Sequence, residues 1–161
     1  MKLMIISDTH GSTQRMVTAI ERGEPDAVLH LGDYISDTEE LKRQKPNLEL
    51  YAVRGNGDFW AMGEDELLLT LGGVGIYMVH GHKFGVKSGL DSFVKRARMM
   101  DASLALYGHT HIADIRQADG LCLMNPGQMM QNSKNRPATY GMVTVADGVF
   151  TREIIRLATQ D

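Results

Sequence analysis

Five short apolar runs in the sequence each end in residues that can bind a metal ion. The polar segments that follow these runs are Asp8-Thr9-His10, Gly32-Asp33, Gly55-Asn56-Gly57-Asp58, His80-Gly81-His82 and Gly108-His109-Thr110-His111. Apolar runs of about 4 to 8 residues bounded by turn residues are typical of buried strands. In α/β sheets, ligands bind beyond the carboxyl ends of the strands. We therefore expect the polar segments to lie together at the ends of these strands.

The first half of the chain favours an α/β fold. Predicted strands over 2–6, 27–31 and 48–53 alternate with helices capped by Ser12 or Thr13 and by Ser36 or Asp37. A βαβαβ order is typical of parallel strands, because a helix returns the chain to the same end of the sheet.

The second half is richer in strands. Gly72-Gly73 and Asp147-Gly148 each separate two apolar runs, as hairpin turns do, and a third hairpin is predicted across Asp119-Gly120. A third helix is predicted from apolar residues at helical spacing between Leu90 and Met100. We expect an α/β fold in which two β-sheets form a sandwich flanked by helices, in a single domain over 1–161.

Composition limits the classes of function. A chain of 161 residues with 43% apolar residues can form one domain with a proper core. The net charge of −3, without a block of like charge, gives no reason to expect a nucleic-acid or membrane surface. Cys122 is the single cysteine, which excludes an intrachain disulfide, and no apolar stretch approaches the roughly 20 residues of a membrane span. We expect a cytoplasmic protein.

The residue types in the five segments indicate a metal site. Each segment alone is typical of a turn, a helix cap or a packed histidine. Carboxylate, amide and imidazole groups together suit Mn, Fe, Co, Ni or Zn, whereas all-oxygen Ca or Mg sites would not need histidines. A structural zinc site would be rich in cysteine. Two ions about 3.5–4 Å apart are the arrangement used for displacement at phosphorus.

Two segments carry ligand candidates that are two residues apart. If each strand continues through its segment, Asp8 and His10 point to one side, and so do His109 and His111. Rigid strands hold such groups better than free loops do. We therefore expect each pair to address one metal cluster.

In this order, the five segments resemble the motifs of the calcineurin-like metallophosphoesterase superfamily. Gly55-Asn56-Gly57-Asp58, Asn125-Pro126-Gly127, Pro137-Ala138-Thr139-Tyr140-Gly141 and the short length make the chain similar to the compact YfcE-like phosphodiesterases of bacteria and archaea. The resemblance covers essentially the whole chain and implies a double β-sheet sandwich flanked by helices. It also implies hydrolysis of a small phosphodiester with two divalent transition-metal ions, first of all Mn, with Ni, Co, Fe or Zn as alternatives.

The resemblance implies a role for each matching residue. Asp8, His10 and His111 would hold the first ion, Asn56, His80 and His109 the second, and Asp33 would bridge the two. A hydroxide between the ions would attack phosphorus, its pKa lowered by the paired charges. Asn56 would also be catalytic, because its amide oxygen can bind the ion while its amide nitrogen donates a hydrogen bond to a phosphate oxygen.

One position departs from much of the superfamily. Many members carry a histidine that acts as general acid where this chain has Gly57, which has no side chain to donate a proton. YfcE-like members often lack it as well, so the glycine does not exclude activity. His82 and Asp58 are the available substitutes, and substrates with leaving groups of low pKa should depend on them least. Gln128 replaces a serine that is frequent in relatives, which leaves the substrate contact there open.

Two other functions are alternatives. A non-catalytic interaction scaffold, similar to the retromer subunit of the same fold, also lacks the histidine at the position of Gly57, but the complete ligand set with Asn56 favours an enzyme. A nuclease is disfavoured by the absence of a basic patch.

Phe59 and Trp60 would form a substrate wall, a cover over the core or a contact in a homo-oligomer, and we favour the last two. His30 is expected to be a packed histidine or one that supports the metal ligands without binding a metal ion itself.

Overall fold

The computed structural model describes residues 1–118, 120–130 and 136–158. Its strands are β1 (Lys2–Ile6), β2 (Ala27–His30), β3 (Glu49–Ala52), β4 (Glu66–Leu71), β5 (Val74–Val79), β6 (Leu104–Leu106), β7 (Asp114–Ala118), β8 (Leu121–Asn125), β9 (Thr139–Ala146) and β10 (Val149–Arg156). Its α-helices are α1 (Thr13–Gly23), α2 (Asp37–Gln44) and α3 (Asp91–Met99), and a 3₁₀ turn spans His82–Phe84. The predicted elements are thus present, with ends shifted by one or two residues.

The strands form two mixed sheets of five. The first sheet has the order β10-β9-β1-β2-β3 and the second the order β4-β5-β6-β8-β7. Strands β1, β2 and β3 are parallel neighbours, as the βαβαβ pattern predicts. In the second sheet, β5 and β6 are also parallel. The predicted two-sheet sandwich with helices is confirmed.

The glycine turns join antiparallel hairpins. Leu71 pairs with Val74 across Gly72-Gly73, and Ala146 pairs with Val149 across Asp147-Gly148. Strands β7 and β8 also pair antiparallel, although Asp119 of their predicted turn lies outside the described residues. These hairpins place β4 and β10 at sheet edges.

Alternation of side chains along the strands divides the core into layers. Leu3 and Ile5 of β1 pack with Ile76 and Met78 of the other sheet between the two sheets. Met4 and its neighbours on the opposite face pack against α1 and α2 instead. Because successive strand residues point to opposite faces, β1 is buried on both sides and reads as a continuous apolar run.

The segment after Asn56 does not cover the core. The side chain of Phe59 is 82% exposed and that of Trp60 is 99% exposed. The prediction of a hydrophobic cover is therefore wrong: the chain between β3 and β4 turns these side chains outward into solvent. Within the described ranges, no helix is long and apolar enough to cross a membrane.

Candidate metal centre

The structure brings the five polar segments together at the carboxyl ends of strands from both sheets. Two close groups of side chains form there, and Asp8 belongs to both. The groups are Asp8, His10 and His111, and Asp8, Asp33 and His80, with the potential ligand atoms of each group within 4.8 Å of one another. Ligands of one transition-metal ion at about 2.1 Å would lie roughly 3 to 4.2 Å apart, so the spacing suits shared ions.

The first group is built around Asp8. Nε2 of His111 lies 3.0 Å from Asp8 Oδ1. The rings of His10 and His111 face each other edge-on with centroids 5.9 Å apart. Ser7 Oγ donates to the other oxygen, Asp8 Oδ2, at 2.5 Å, and His109 N donates to it at 3.2 Å. These two donors hold the carboxylate so that Oδ1 faces the histidines.

The second group is built around His80. Its Nε2 lies 3.1 Å from Asn56 Oδ1, 3.5 Å from Asp33 Oδ1 and 4.0 Å from Asp8 Oδ1. The second oxygen of Asp33 lies 3.7 Å from His10 Nε2. Asp33 therefore faces one histidine of each predicted ligand set. Because Asp8 also lies beside both sets, the assignment of Asp33 as the bridge stays a prediction.

Two predicted residues lie at the margin of the cluster. Among the described residues, neither of the two close groups includes His109, whose ring centroid is 5.0 Å from that of His80. The ring of His82 is 5.4 Å from His80 and 6.2 Å from His109. His82 is the first residue of the 3₁₀ turn, so its side chain projects from a point beyond the end of β5.

The surroundings of His80 Nε2 suit a cation. Nδ1 lies 2.8 Å from the carbonyl oxygen of Leu31, which can only accept, so the ring proton is on Nδ1. In the neutral ring, Nε2 then presents a lone pair to the oxygens of Asn56 and Asp33. Acceptors that face acceptors repel unless a cation lies between them. Asp8 Oδ1 and His10 Nε2 are likewise buried without a hydrogen-bond partner in the described part of the chain. The donor set thus fits a divalent ion.

The charges at this site also favour cations. The side chains of Asp8 and Asp33 are almost fully buried, and buried carboxylates are unfavourable unless paired. Burial tends to raise the pKa of Asp8, but the contact with His111 and the Ser7 hydroxyl hold it below its usual value. Asp8 is therefore an anion at neutral pH.

The histidine side chains respond to these charges in opposite directions. Contact with the Asp8 carboxylate raises the pKa of His111. Burial, together with His80 and Lys87, lowers the pKa of His109 to about 4. Burial, His80 and Lys83 lower the pKa of His82. His109 thus offers a free lone pair at neutral pH, as a metal ligand must.

The predicted alternation along continuing strands is wrong. Strands β1 and β6 end at Ile6 and Leu106, before the ligand candidates begin. Nine described non-glycine residues have positive φ, and five of them are predicted ligands: Asp8, His10, Asp33, His109 and His111. Left-handed backbone costs such residues about 1 kcal/mol or more and occurs mainly where surrounding structure imposes it, often at functional sites. Left-handed turns, rather than strand alternation, therefore point the pairs Asp8 with His10 and His109 with His111 toward the cluster.

Glycines allow the loops to approach this closely. A Cβ atom at Gly55 would overlap Asp33 Oδ1, and one at Gly108 would overlap Ser7 Oγ. The glycines before Asn56 and His109 thus let two ligand-bearing loops touch the carboxylates of two others.

A buried relay beneath the site joins two of the loops and includes His30, which was expected to be packed or to support the metal ligands. Gly32 N donates to His30 Nδ1 at 3.1 Å, which leaves the ring proton on Nε2. Nε2 lies 3.2 Å from Thr9 Oγ1, and Thr9 donates to the carbonyl oxygen of Asp33 at 3.2 Å. Thr9 and His30 are fully buried. The relay fixes the backbone that carries Asp33.

Two further polar side chains shape the rim. Asp58 Oδ2 accepts from Gly55 N of its own loop at 2.8 Å, and Asp58 Oδ1 accepts from Ile35 N of the loop after β2 at 2.9 Å, so both oxygens are occupied and one of them joins two loops. Asn125 donates to the carbonyl oxygen of Gly108 at 3.0 Å and accepts from Gly127 N at 2.9 Å. Asn125 thereby supports the loop of His109, a role that its motif did not reveal.

The comparisons with known proteins concern nearly the whole chain. A family model described as the calcineurin-like phosphoesterase superfamily domain matches residues 1–148. The Bacillus subtilis protein named "Probable metallophosphoesterase YsnB" is 36% identical over 154 residues, which cover 94% of this chain and 88% of that protein. "Phosphodiesterase YfcE" of Escherichia coli K12 is 26% identical over 172 aligned residues, covering 89% of this chain and 87% of YfcE.

A solved structure shares the fold at low sequence identity. A single mutant of Vps29 from Entamoeba histolytica superposes with a TM-score of 0.77 at 19% identity, covering 98% of this chain and 100% of that one. At this identity the likeness concerns the fold alone.

Proposed function

Because the chain belongs to the calcineurin-like phosphoesterase superfamily, we propose that it is a dinuclear metal-dependent phosphodiesterase that hydrolyses a small phosphodiester. The observation that carries the proposal is the environment of His80 Nε2. The lone pair of this nitrogen faces oxygens of Asn56, Asp33 and Asp8, which lie 3.1 to 4.0 Å away. Such a set of acceptors is unfavourable alone and suits a divalent cation.

The proposed ligands divide into two sets that meet at the buried carboxylates. One ion would be held by Asp8, His10 and His111, the other by Asn56, His80 and His109, with Asp33 between them. When bound, the two ions lower the pKa of a water molecule and offset the negative charge of the phosphate. Mn is the proposed ion, with Ni, Co, Fe and Zn as alternatives, since the donor types suit all five.

The proposed roles of Asn56 and His82 concern the substrate. The Asn56 oxygen faces the His80 side, so its amide N–H groups are free to donate to a phosphate oxygen. His82 is the proposed proton donor to the leaving oxygen, in place of the histidine absent at Gly57. Asp58 is less suited to that role, because both of its oxygens accept backbone N–H groups. The substitution His82→Ala should therefore slow turnover of esters with poor leaving groups more than of esters with good ones, and a uniform loss would contradict the assignment.

Metal reconstitution tests the function directly. Metal-stripped protein is given a chromogenic phosphodiester or the matching monoester, with Mn, Ni, Co, Zn or Mg added back in turn. We expect metal-dependent turnover that prefers the diester and disappears in His109→Ala. The absence of turnover with every metal, despite stoichiometric metal binding, would contradict the enzyme and favour the second candidate.

The second candidate is a non-catalytic interaction scaffold on the same fold. Gly57 favours it, because this position lacks the histidine that serves many superfamily members as general acid. The buried carboxylates and unpartnered acceptors of the centre favour the enzyme, since a binding platform has no need of them.

We also propose a cytoplasmic location. The one cysteine, Cys122, is buried and cannot form an intrachain disulfide, so the chain shows no adaptation to an oxidising compartment. Recovery of the protein in a secreted or envelope fraction of its cells would contradict this.

A further inference from the structure

A small cavity beside the metal centre has His82 in its wall. Its volume is about 270 Å³, and its walls include Glu66, Val79, His82, Lys83, Phe84 and Arg96. His82 connects the two sites, because the same ring lies 5.4 Å from His80 of the proposed centre. A group bound in this cavity would therefore lie directly beside the proposed proton donor.

The charged side chains around the cavity neutralise one another. Lys83 Nζ lies 2.5 Å from Asp65 Oδ2, and Arg96 Nη2 lies 2.5 Å from Glu66 Oε1. The hydroxyl of Tyr77 donates to Glu66 as well. With two acidic and two basic side chains in its walls, the cavity carries no net charge from these groups. It is thus poorly suited to a second phosphate or a carboxylate.

The remaining wall is apolar and the space is limited. Val79 and Phe84 supply the apolar part of the lining. Pockets that enclose drug-sized ligands hold roughly 300 to 1,000 Å³, so 270 Å³ suits one ring or a short chain rather than a whole substrate. The cavity therefore fits a neutral organic fragment with a polar attachment near His82.

We propose that this cavity binds the alcohol half of the phosphodiester that leaves during hydrolysis, and that the substrate class is a diester of a neutral alcohol about as large as one ring. The proposal rests on the function proposed above. In the reaction, a water oxygen forms the new bond to phosphorus and the bond from phosphorus to the alcohol oxygen breaks. The attacking water gives up one proton and the leaving oxygen gains one, so the products are a phosphomonoester and a neutral alcohol.

A pair of stable phosphonates tests the proposal by binding alone. Phenylphosphonate carries a ring where methylphosphonate carries one carbon, and isothermal titration of the Mn-loaded protein gives the affinity of each. We expect phenylphosphonate to bind at least about tenfold more tightly, because the ring is removed from water in the cavity. In Phe84→Trp, which fills the space, the ratio should fall to about threefold or less.

A matched variant separates a local effect from a general one. Phe150 is a half-buried phenylalanine on β10, in the other sheet, so Phe150→Trp should keep the wild-type ratio. If Phe84→Trp does not fold, Lys83→Trp at the exposed rim places a similar ring over the mouth and should reduce the ratio in the same way.

The failures of the two proposals can be told apart. Equal affinity for both phosphonates in the wild type, or a ratio unchanged in folded Phe84→Trp, would overturn the cavity assignment and leave the phosphodiesterase standing. If neither phosphonate binds and no diester is hydrolysed, the proposed function fails, and the cavity assignment fails with it.

Discussion

The buried relay through Thr9 gives the sharpest prediction from this structure. In Thr9→Val the side chain keeps its shape but loses the hydroxyl. His30 Nε2–H then loses its acceptor and the Asp33 carbonyl oxygen loses its donor, each now 3.2 Å from Thr9 Oγ1. Thr9 is fully buried, so water cannot readily replace the hydroxyl. A buried polar group left unsatisfied costs about 1–3 kcal/mol, and two such groups predict a loss of roughly 2–6 kcal/mol in the free energy of unfolding.

Denaturant unfolding of the metal-free protein measures this loss. A chelator is needed, because ions that bind only the folded state would add their own stabilisation. The control is Thr18→Val, which removes an exposed hydroxyl that donates to Gln14 O at 3.0 Å on α1. We expect the control to change stability by less than about 0.5 kcal/mol.

The same substitution should weaken metal binding, because the relay fixes the loop of Asp33. Removal of groups that support metal ligands typically costs about 10- to 100-fold in affinity. A Thr9→Val variant as stable as the Thr18→Val control, with unchanged Mn affinity, would refute the relay.

Three further predictions follow from the site and the surface. Asp33→Asn should abolish activity and weaken the binding of both ions in a titration. The control Asp147→Asn, at an exposed turn with the same left-handed backbone, should do neither. Loss of one ion with turnover retained would contradict the bridging role of Asp33. Burial lowers the pKa of His30 from 6.5 to about 4, so the neutral ring stabilises the fold above pH 6.5 and that stability is lost as the pH falls through about 4. Between pH 7 and pH 4.5 the metal-free wild type should therefore lose roughly 2–3 kcal/mol more unfolding free energy than His30→Gln, and equal losses would refute this. If the exposed Trp60 is a contact in a homo-oligomer, Trp60→Glu should sediment as a smaller species, and an unchanged sedimentation coefficient would exclude that contact.

Much of the fold followed from local patterns in the sequence. The alternation of short apolar runs with helical segments predicted the parallel strands β1, β2 and β3, and the glycine turns predicted the hairpins. The order of the five polar segments predicted the family, which the match over residues 1–148 confirms. These features are local, because strand length, turn type and the residues that follow a strand each depend on a few neighbouring positions in the sequence.

Other features depend on contacts between distant residues. No local pattern showed that β9 inserts beside β1, where Leu3 pairs with Val143, or that β8 lies beside β6. The outward position of Trp60 was likewise outside what periodicity can predict, since a loop has no period. Strand pairing across a long separation is decided by which faces pack best in the whole molecule.

The sequence by itself determined which side chains are candidates for the chemistry, because residue types and their positions after strands are properties of the chain. Only the tertiary structure decided how these side chains are aimed. The left-handed turns at Asp8, His10, Asp33, His109 and His111 are imposed by loops from both sheets that touch through glycines, and the relay from His30 to Asp33 exists only where two such loops meet. Left-handed backbone is unfavourable for isolated residues, so it is maintained here by packing rather than by local preference.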